Sequence, residues 1–589
     1  MIPVGSVKVR KSSRSAGGVE LCYAALLMFQ SLLAVFLLLL CTLSSAQSPD
    51  SLEHLSSDFW TWRARYRPFT FDDVPRMEHA GGVRDWSEET VARQRVDLAA
   101  FERRWKELHP ENWTVTKKVD YQLAASALAR VRWELDVYPR WRLDPMFYVE
   151  QTVVALQEEL MAPPPFSTDR AREIVVRAEN IPAILLQARS NLKPVQAFAG
   201  LAIGALANVE GRLQTVARGV SPLLTSDEVR ARFQAAIPKA IRALVEYRAW
   251  LQGNLSGMRR DFVVGAAAYS FYLHRVALLP YTPEQMLEMA RQDLDRVLTA
   301  ESLEKQRDHE APELKIAPTA EAQVARMARD DKAIREFLTT HELLTVPSDL
   351  PHWTLRAAPD YVAAFNGIGE LDDFTGLSRM EQNGTRWILP PSNGMPYFSD
   401  AYAKDPRTTG VHEGVPGHFF QLSVARRNPD TVRRQYYDSV ANEGLGFYSE
   451  EMMMQAGLYD DSPRSREIIY SFARLRALRV EVDVKLALGQ FTIAQAGEYL
   501  ARMVPMDRKS AETDAADYAA SPGLGVAYEI GKLQIERMLA RRRLQQGEEF
   551  NLREFHDQVW INGNVPFSLL QWELLGLDDD VKRANELAQ

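Results

Sequence analysis

Cysteine is nearly absent: of 589 residues only Cys22 and Cys41 are cysteine, and both fall within the first 46. Past that point no disulfide can staple the chain, no thiol can act as nucleophile and no thiolate can ligate a metal. Histidine and carboxylate are then the side chains left for a metal site. A basic stripe is missing too. The formal net charge is −8, and it becomes about −11 without residues 1–46, where Lys8, Arg10, Lys11 and Arg14 face only Glu20. That balance argues against a nucleic-acid partner. The one compact cluster, Arg541-Arg542-Arg543, reads as a solvated helix end. No fixed-period repeat signals a solenoid.

What is present begins with a leader. A basic head is followed by an apolar run, Leu21 to Leu43, and by Ser44-Ser45-Ala46. Small residues before a cut after Ala46 describe a secretory signal peptide. The run is also long enough to span a bilayer, so residues 21–43 could instead stay as a membrane anchor. A lipoprotein reading at Cys41 is poor, because Leu40 stands where a small residue is expected. The expected location is therefore periplasmic or extracellular, with membrane contact only through this segment.

Residues 47–345 read as an N-terminal helical region. Trp60, Trp62, Trp86, Trp105, Trp133 and Trp141 recur among charged residues, as on amphipathic helices packed together. Thr282-Pro283-Glu284-Gln285 is a helix start, and Pro163-Pro164-Pro165 and Leu279-Pro280 mark breaks. His341-Glu342-Leu343-Leu344-Thr345 imitates the start of a zinc motif without its second histidine and is rejected as a ligand set. Residues 346–405 form a mixed loop and hairpin segment. There Gln382-Asn383-Gly384-Thr385 predicts a hairpin turn and Arg386 to Leu389 a short strand. Such a strand edge could pair with an extended peptide or simply cover the core. Helices resume over 406–589, one of them starting at Thr492-x-x-Gln495.

This last region carries the chemistry. Val411-His412-Glu413-Gly414-Val415-Pro416-Gly417-His418 sets two histidines and an acid in one short segment. Helical zinc motifs space their histidines i to i+4, onto one face; a spacing of i to i+6 points them roughly 120° apart on a straight helix. Pro416, with Gly414 and Gly417, permits a bulge or bend that swings His418 back beside His412. The alternative is a loop whose histidines make ordinary hydrogen bonds. Glu443, opening Glu443-Gly444-Leu445-Gly446-Phe447-Tyr448-Ser449-Glu450, supplies the third ligand that a two-histidine, one-carboxylate site requires, with a fourth position left for water. Glu450, two helical turns on, could replace it or orient a histidine.

These pieces resemble the metallopeptidase-like family known as domain of unknown function 885, itself similar to helical zinc oligopeptidases and thermostable carboxypeptidases. The resemblance rests on His412-Glu413-x-x-Pro416-Gly417-His418 and Glu443-Gly444-x-x-x-Tyr448-x-Glu450. It continues in Arg479-Val480-x-x-Asp483, Tyr528-x-x-Gly531-Lys532, Phe555-His556-Asp557 and Gly563-Asn564-Val565-Pro566. The chain departs from the pattern at Leu486-Ala487, where the family carries a histidine. The resemblance implies a mainly α fold, a large helical body with a deep cleft and a small β-hairpin or sheet near the active-site helix. It selects Glu443 over Glu450 as ligand beside His412 and His418, for one zinc ion, although cobalt or manganese also suit such ligands. Glu413 is then the base that takes a proton from a metal-activated water and returns it to the leaving amine. Tyr528 and His556 are the candidates to donate to the developing oxyanion, Tyr528 first. Arg479 and Lys532 could bind a substrate carboxylate, or merely pair with acids such as Asp483, Asp557 or Glu450. The function expected is an exported zinc peptidase acting on short peptides, as a carboxypeptidase, dipeptidase or oligopeptidase. A hydrolase of a non-peptide amide and a non-catalytic peptide- or metal-binding protein are the alternatives.

Overall fold

Ser87, Thr114, Ser167, Ser226, Thr282 and Thr492 each precede an amphipathic run, and each opens a helix by accepting the backbone N–H three residues on. At Thr282 and Thr492 the glutamine three residues on returns the favour to the cap's own N–H, completing a capping box. The structure, a computed structural model, describes residues 8, 49–70, 79, 84–260, 262–392 and 394–589. Apart from Lys8 the expected leader lies outside the described residues, among which no helix is long and apolar enough to cross a membrane. The chain is mainly α. Trp86, Trp133 and Trp141 are buried, and Trp60, Trp62 and Trp105 pack against the core from its margin.

The only strands among the described residues form one small sheet in the mixed segment: β1 (Trp353–Ala357), β2 (Asp372–Asp373) and β3 (Gly384–Ile388), in the order β1-β3-β2. β1 runs parallel to β3, and β2 antiparallel. Two expectations are corrected here. Gly384 does not turn a hairpin; it starts β3, and its N–H donates to the carbonyl of His352. Glycine is needed because a Cβ there would come within 2.6 Å of the Phe419 ring. The predicted strand is also no edge, because β3 is the middle strand with partners on both sides. Peptide addition along it is therefore blocked. Its contact with Phe419 instead sets the sheet against the start of the helix His418–Ala425.

Three long helices frame that segment: Ser439–Gln455, Pro463–Ala487 and Leu524–Gln546. Asp483 fixes the third to the second. Its carboxylate accepts N–H groups of Gly523 and Val526 at 3.0–3.2 Å, satisfying the orphan donors at that helix start. Burial pushes this carboxyl up to about 7, although those backbone donors hold it down. The first and third helices cross in near-backbone contact. A Cβ on Gly531 would stand 2.3 Å from the Val440 carbonyl oxygen and 2.6 Å from Gly444 Cα. Because the obstacle is backbone, no rotamer change relieves it. Gly531→Ala should therefore destabilise the fold by about 1–3 kcal/mol, read as a lower denaturation midpoint; an unchanged midpoint would contradict the crossing described.

Candidate metal centre

Residues Gly410–Gly414 form one wide π-helical turn, which ends where Pro416 cannot donate a hydrogen bond. The Val415–Pro416 peptide is cis, and a new helix begins at His418. Gly417 lets the chain fold back: a Cβ there would fall 1.7 Å from the His412 carbonyl oxygen. The spacing of six thus spans two separate helical pieces, and the two imidazoles meet with centroids 4.7 Å apart at 82°.

Glu443 comes to them from the helix Ser439–Gln455. Its Oε2 lies 3.3 Å from His412 Nε2 and 3.2 Å from His418 Nε2. Those separations have a physical meaning. A tetrahedral zinc with bonds of about 2.0–2.1 Å has ligand atoms roughly 3.3–3.4 Å apart. The residues present therefore fit a zinc ion in both donor type and spacing. Room for the rings comes from Gly446, one turn beyond Glu443, where a Cβ would stand 2.9 Å from Cε1 of each histidine.

Glu450 takes the other role left open for it. Its Oε1 accepts from His412 Nδ1 at 2.6 Å, which fixes the tautomer and leaves Nε2 facing Glu443. Arg476, which sequence reasoning missed, donates to the same oxygen at 2.6 Å. Burial alone would lower the His412 pKa, but hydrogen bonds to Glu443 and Glu450 raise it to about 9.

Glu413 stands beside this triad. Its carboxylate is 4.0 Å from His418 Nε2 and 18% exposed, whereas the side chains of His412, His418 and Glu443 are 9%, 0% and 2% exposed. Its ligand atom also lies within 4.8 Å of those of both histidines, so proximity alone would admit it as a ligand. Glu443 is the better third ligand, because one of its oxygens sits at bonding-tetrahedron distance from both imidazoles. Tyr528 flanks the same group, its ring stacked on His412 at 6.3 Å and 22° and only half-buried. A cavity of about 970 Å³ touches this region through Leu422 and Ala425 of the His418 helix and is lined by none of these site residues.

His556 and Lys532 are elsewhere engaged. His556 is fully buried, its Nδ1–H donating to the Leu343 carbonyl at 2.6 Å and its Nε2 accepting from the Tyr448 hydroxyl at 2.8 Å. Burial lowers its pKa to about 4, so it stays neutral with both nitrogens committed. It cannot donate to a substrate oxyanion. Lys532 is equally buried and pairs with Asp293 at 2.6 Å, Glu451 at 3.0 Å and Glu529 at 3.4 Å. That amine braces two helices and has no spare charge for a substrate. Arg479 remains near the site, over the Tyr528 ring at 5.0 Å, and donates to Asp514 at 3.2 Å rather than to Asp483.

Removing the hydrogen bond that orients His412 tests this geometry. Glu450→Gln should weaken zinc affinity about 10–100-fold in a chelator competition while the circular dichroism spectrum stays unchanged. Unaltered affinity would mean that His412 is not a ligand.

The comparisons with known proteins agree with this fold. No curated protein matches the sequence. A solved candidate lipoprotein of unknown function from Shewanella oneidensis is 19% identical, with a TM-score of 0.68 over 90% of this chain and 100% of that one. A candidate lipoprotein from Colwellia psychrerythraea is 17% identical, with a TM-score of 0.70 over 91% and 99%. The family model described as a bacterial protein of unknown function, DUF885, matches residues 74–574, and the chain belongs to that family.

Proposed function

We propose that the chain is an exported, zinc-dependent peptidase that hydrolyses short peptides. The observation that carries this reading is the division of labour between two acids: Glu443 is buried between the histidines, and Glu413 stands outside the triad, 4.0 Å from His418 Nε2, which leaves space for a water between them. A purely structural metal site needs ligands but no such base.

His412, His418 and Glu443 would hold the ion. A zinc there supplies a Lewis acid for the scissile carbonyl and lowers the pKa of water in its open position to around 7. Glu413 takes the proton from the attacking water and delivers it to the departing amine nitrogen. The Tyr528 hydroxyl, on the ring stacked against His412, would be the neutral donor that meets charge growing on the carbonyl oxygen. Glu450 and Arg476 hold His412 at its angle throughout.

Export is supported by the basic head, apolar run and small residues over 1–46 and by the lipoprotein character ascribed to both solved relatives. The expected result of the direct test is that Glu413→Gln keeps its zinc and loses hydrolysis by about 10²–10⁴-fold in a peptide-cleavage assay. Equal turnover by that variant would remove Glu413 as the base.

A further inference from the structure

Resting on the peptidase reading, we propose that Arg479, with Arg476 one helical turn before it, receives the free C-terminal carboxylate of the substrate, which makes the enzyme a carboxypeptidase. Both arginines project from the helix Pro463–Ala487 toward one aromatic ring. Their guanidinium carbons lie 5.6 Å (Arg476) and 5.0 Å (Arg479) from the centroid of Tyr528, the ring stacked on His412. Both are more than nine-tenths buried, at 4% and 6% exposure. Yet Nε of each, and Nη1 of Arg476, have no hydrogen-bond partner among the described residues. A buried cation with unmade donors is a poor arrangement for stability alone, because the desolvation of those groups is left uncompensated.

Their present partners do not account for this surplus. Arg476 shares the Glu450 carboxylate with His412. Arg479 makes one 3.2 Å ion pair, to Asp514, whose side chain is 21% exposed, and its guanidinium otherwise lies over the rings of Phe398, Tyr518 and Tyr528. Lys532, on the neighbouring helix, is met by three carboxylates instead. A planar carboxylate is the acceptor that a guanidinium recognises best, and burial strengthens the pairing.

Distance then sets where cleavage falls. The two ring separations bound the distance from the Arg479 guanidinium carbon to the His412 imidazole at about 11 Å. At about 3.5 Å per extended residue, that upper limit leaves space for at most about two residues between the bound carboxylate and the scissile carbonyl. The product is a single amino acid or a dipeptide released from the C-terminus, and an internal bond of a long peptide is out of reach.

The test uses the zinc-loaded, full-length protein and N-acylated peptides in matched pairs, each as the free acid and the C-terminal amide. The wild-type protein should cleave the acid with kcat/KM at least about 100-fold above the amide, with mass spectrometry showing loss of one or two C-terminal residues. Arg479→Met should raise KM for the acid and drive the ratio toward one at unchanged zinc stoichiometry, and Arg479→Lys should recover part of the preference. Cleavage of acid and amide alike, or of internal bonds, overturns the carboxylate site and leaves the peptidase reading standing. Cleavage of neither overturns both. The wild-type ratio decides even if a variant fails to fold.

Discussion

One carboxylate oxygen placed between two imidazole nitrogens is the constraint from which the site follows. Glu443 Oε2 can stand 3.2–3.3 Å from both Nε2 atoms only because three conditions are met at once. The chain must break between a π-turn and a new helix so that residues 412 and 418 meet. The facing helix must carry glycine at 446. The outer nitrogen of His412 must also be tied, so that its inner nitrogen points at the acid. A single face of Ser439–Gln455, read at 443, 446 and 450, supplies the ligand, the space and the tether.

That helix carries an unusual load of buried charge. Glu443, Glu450 and Glu451 are all buried on one helix, and a buried carboxylate is tolerated only when paired. The compensation is distributed over distant parts of the chain. Glu450 is met by His412 and Arg476, and Glu451 by Lys532 and Arg296. Glu443 is met by the two histidines and, in the zinc site proposed, would be met by the ion as well. The Lys532 cluster thus holds up the far side of the same helix, and the Gly444–Gly531 contact brings that lysine close enough to do it. Lys532, which resembles a substrate ligand in sequence, is here part of the support beneath the site.

Local chemistry was legible from the sequence, and pairing across the fold was not. Helix starts at Thr282 and Thr492 were readable because a cap is decided within four residues. The bend at Pro416 was readable for the same reason. Glu450 stayed ambiguous, since two acids seven residues apart share a face and only the rotation of that face shows which one meets Nε2. For Lys532 ion pairing was one of two open readings, and its partners could not be named because Asp293 lies 239 residues away. His556 was misread because its partners, Leu343 and Tyr448, arrive from separate segments. Gly384 followed turn statistics on paper, but the nearby Phe419 ring decided its place in a strand. Two signals were available and missed: Gly446, three residues after Glu443, and Arg476, three before Arg479, each on the face of a residue already singled out.

The central claim is that two imidazoles and one carboxylate share a single ion. X-ray absorption at the zinc edge of the purified protein tests it most directly. One zinc per chain is expected, with two nitrogen and one or two oxygen neighbours at about 2.0–2.2 Å and no sulfur. A metal-free protein, or a first shell without histidine nitrogen, would contradict it.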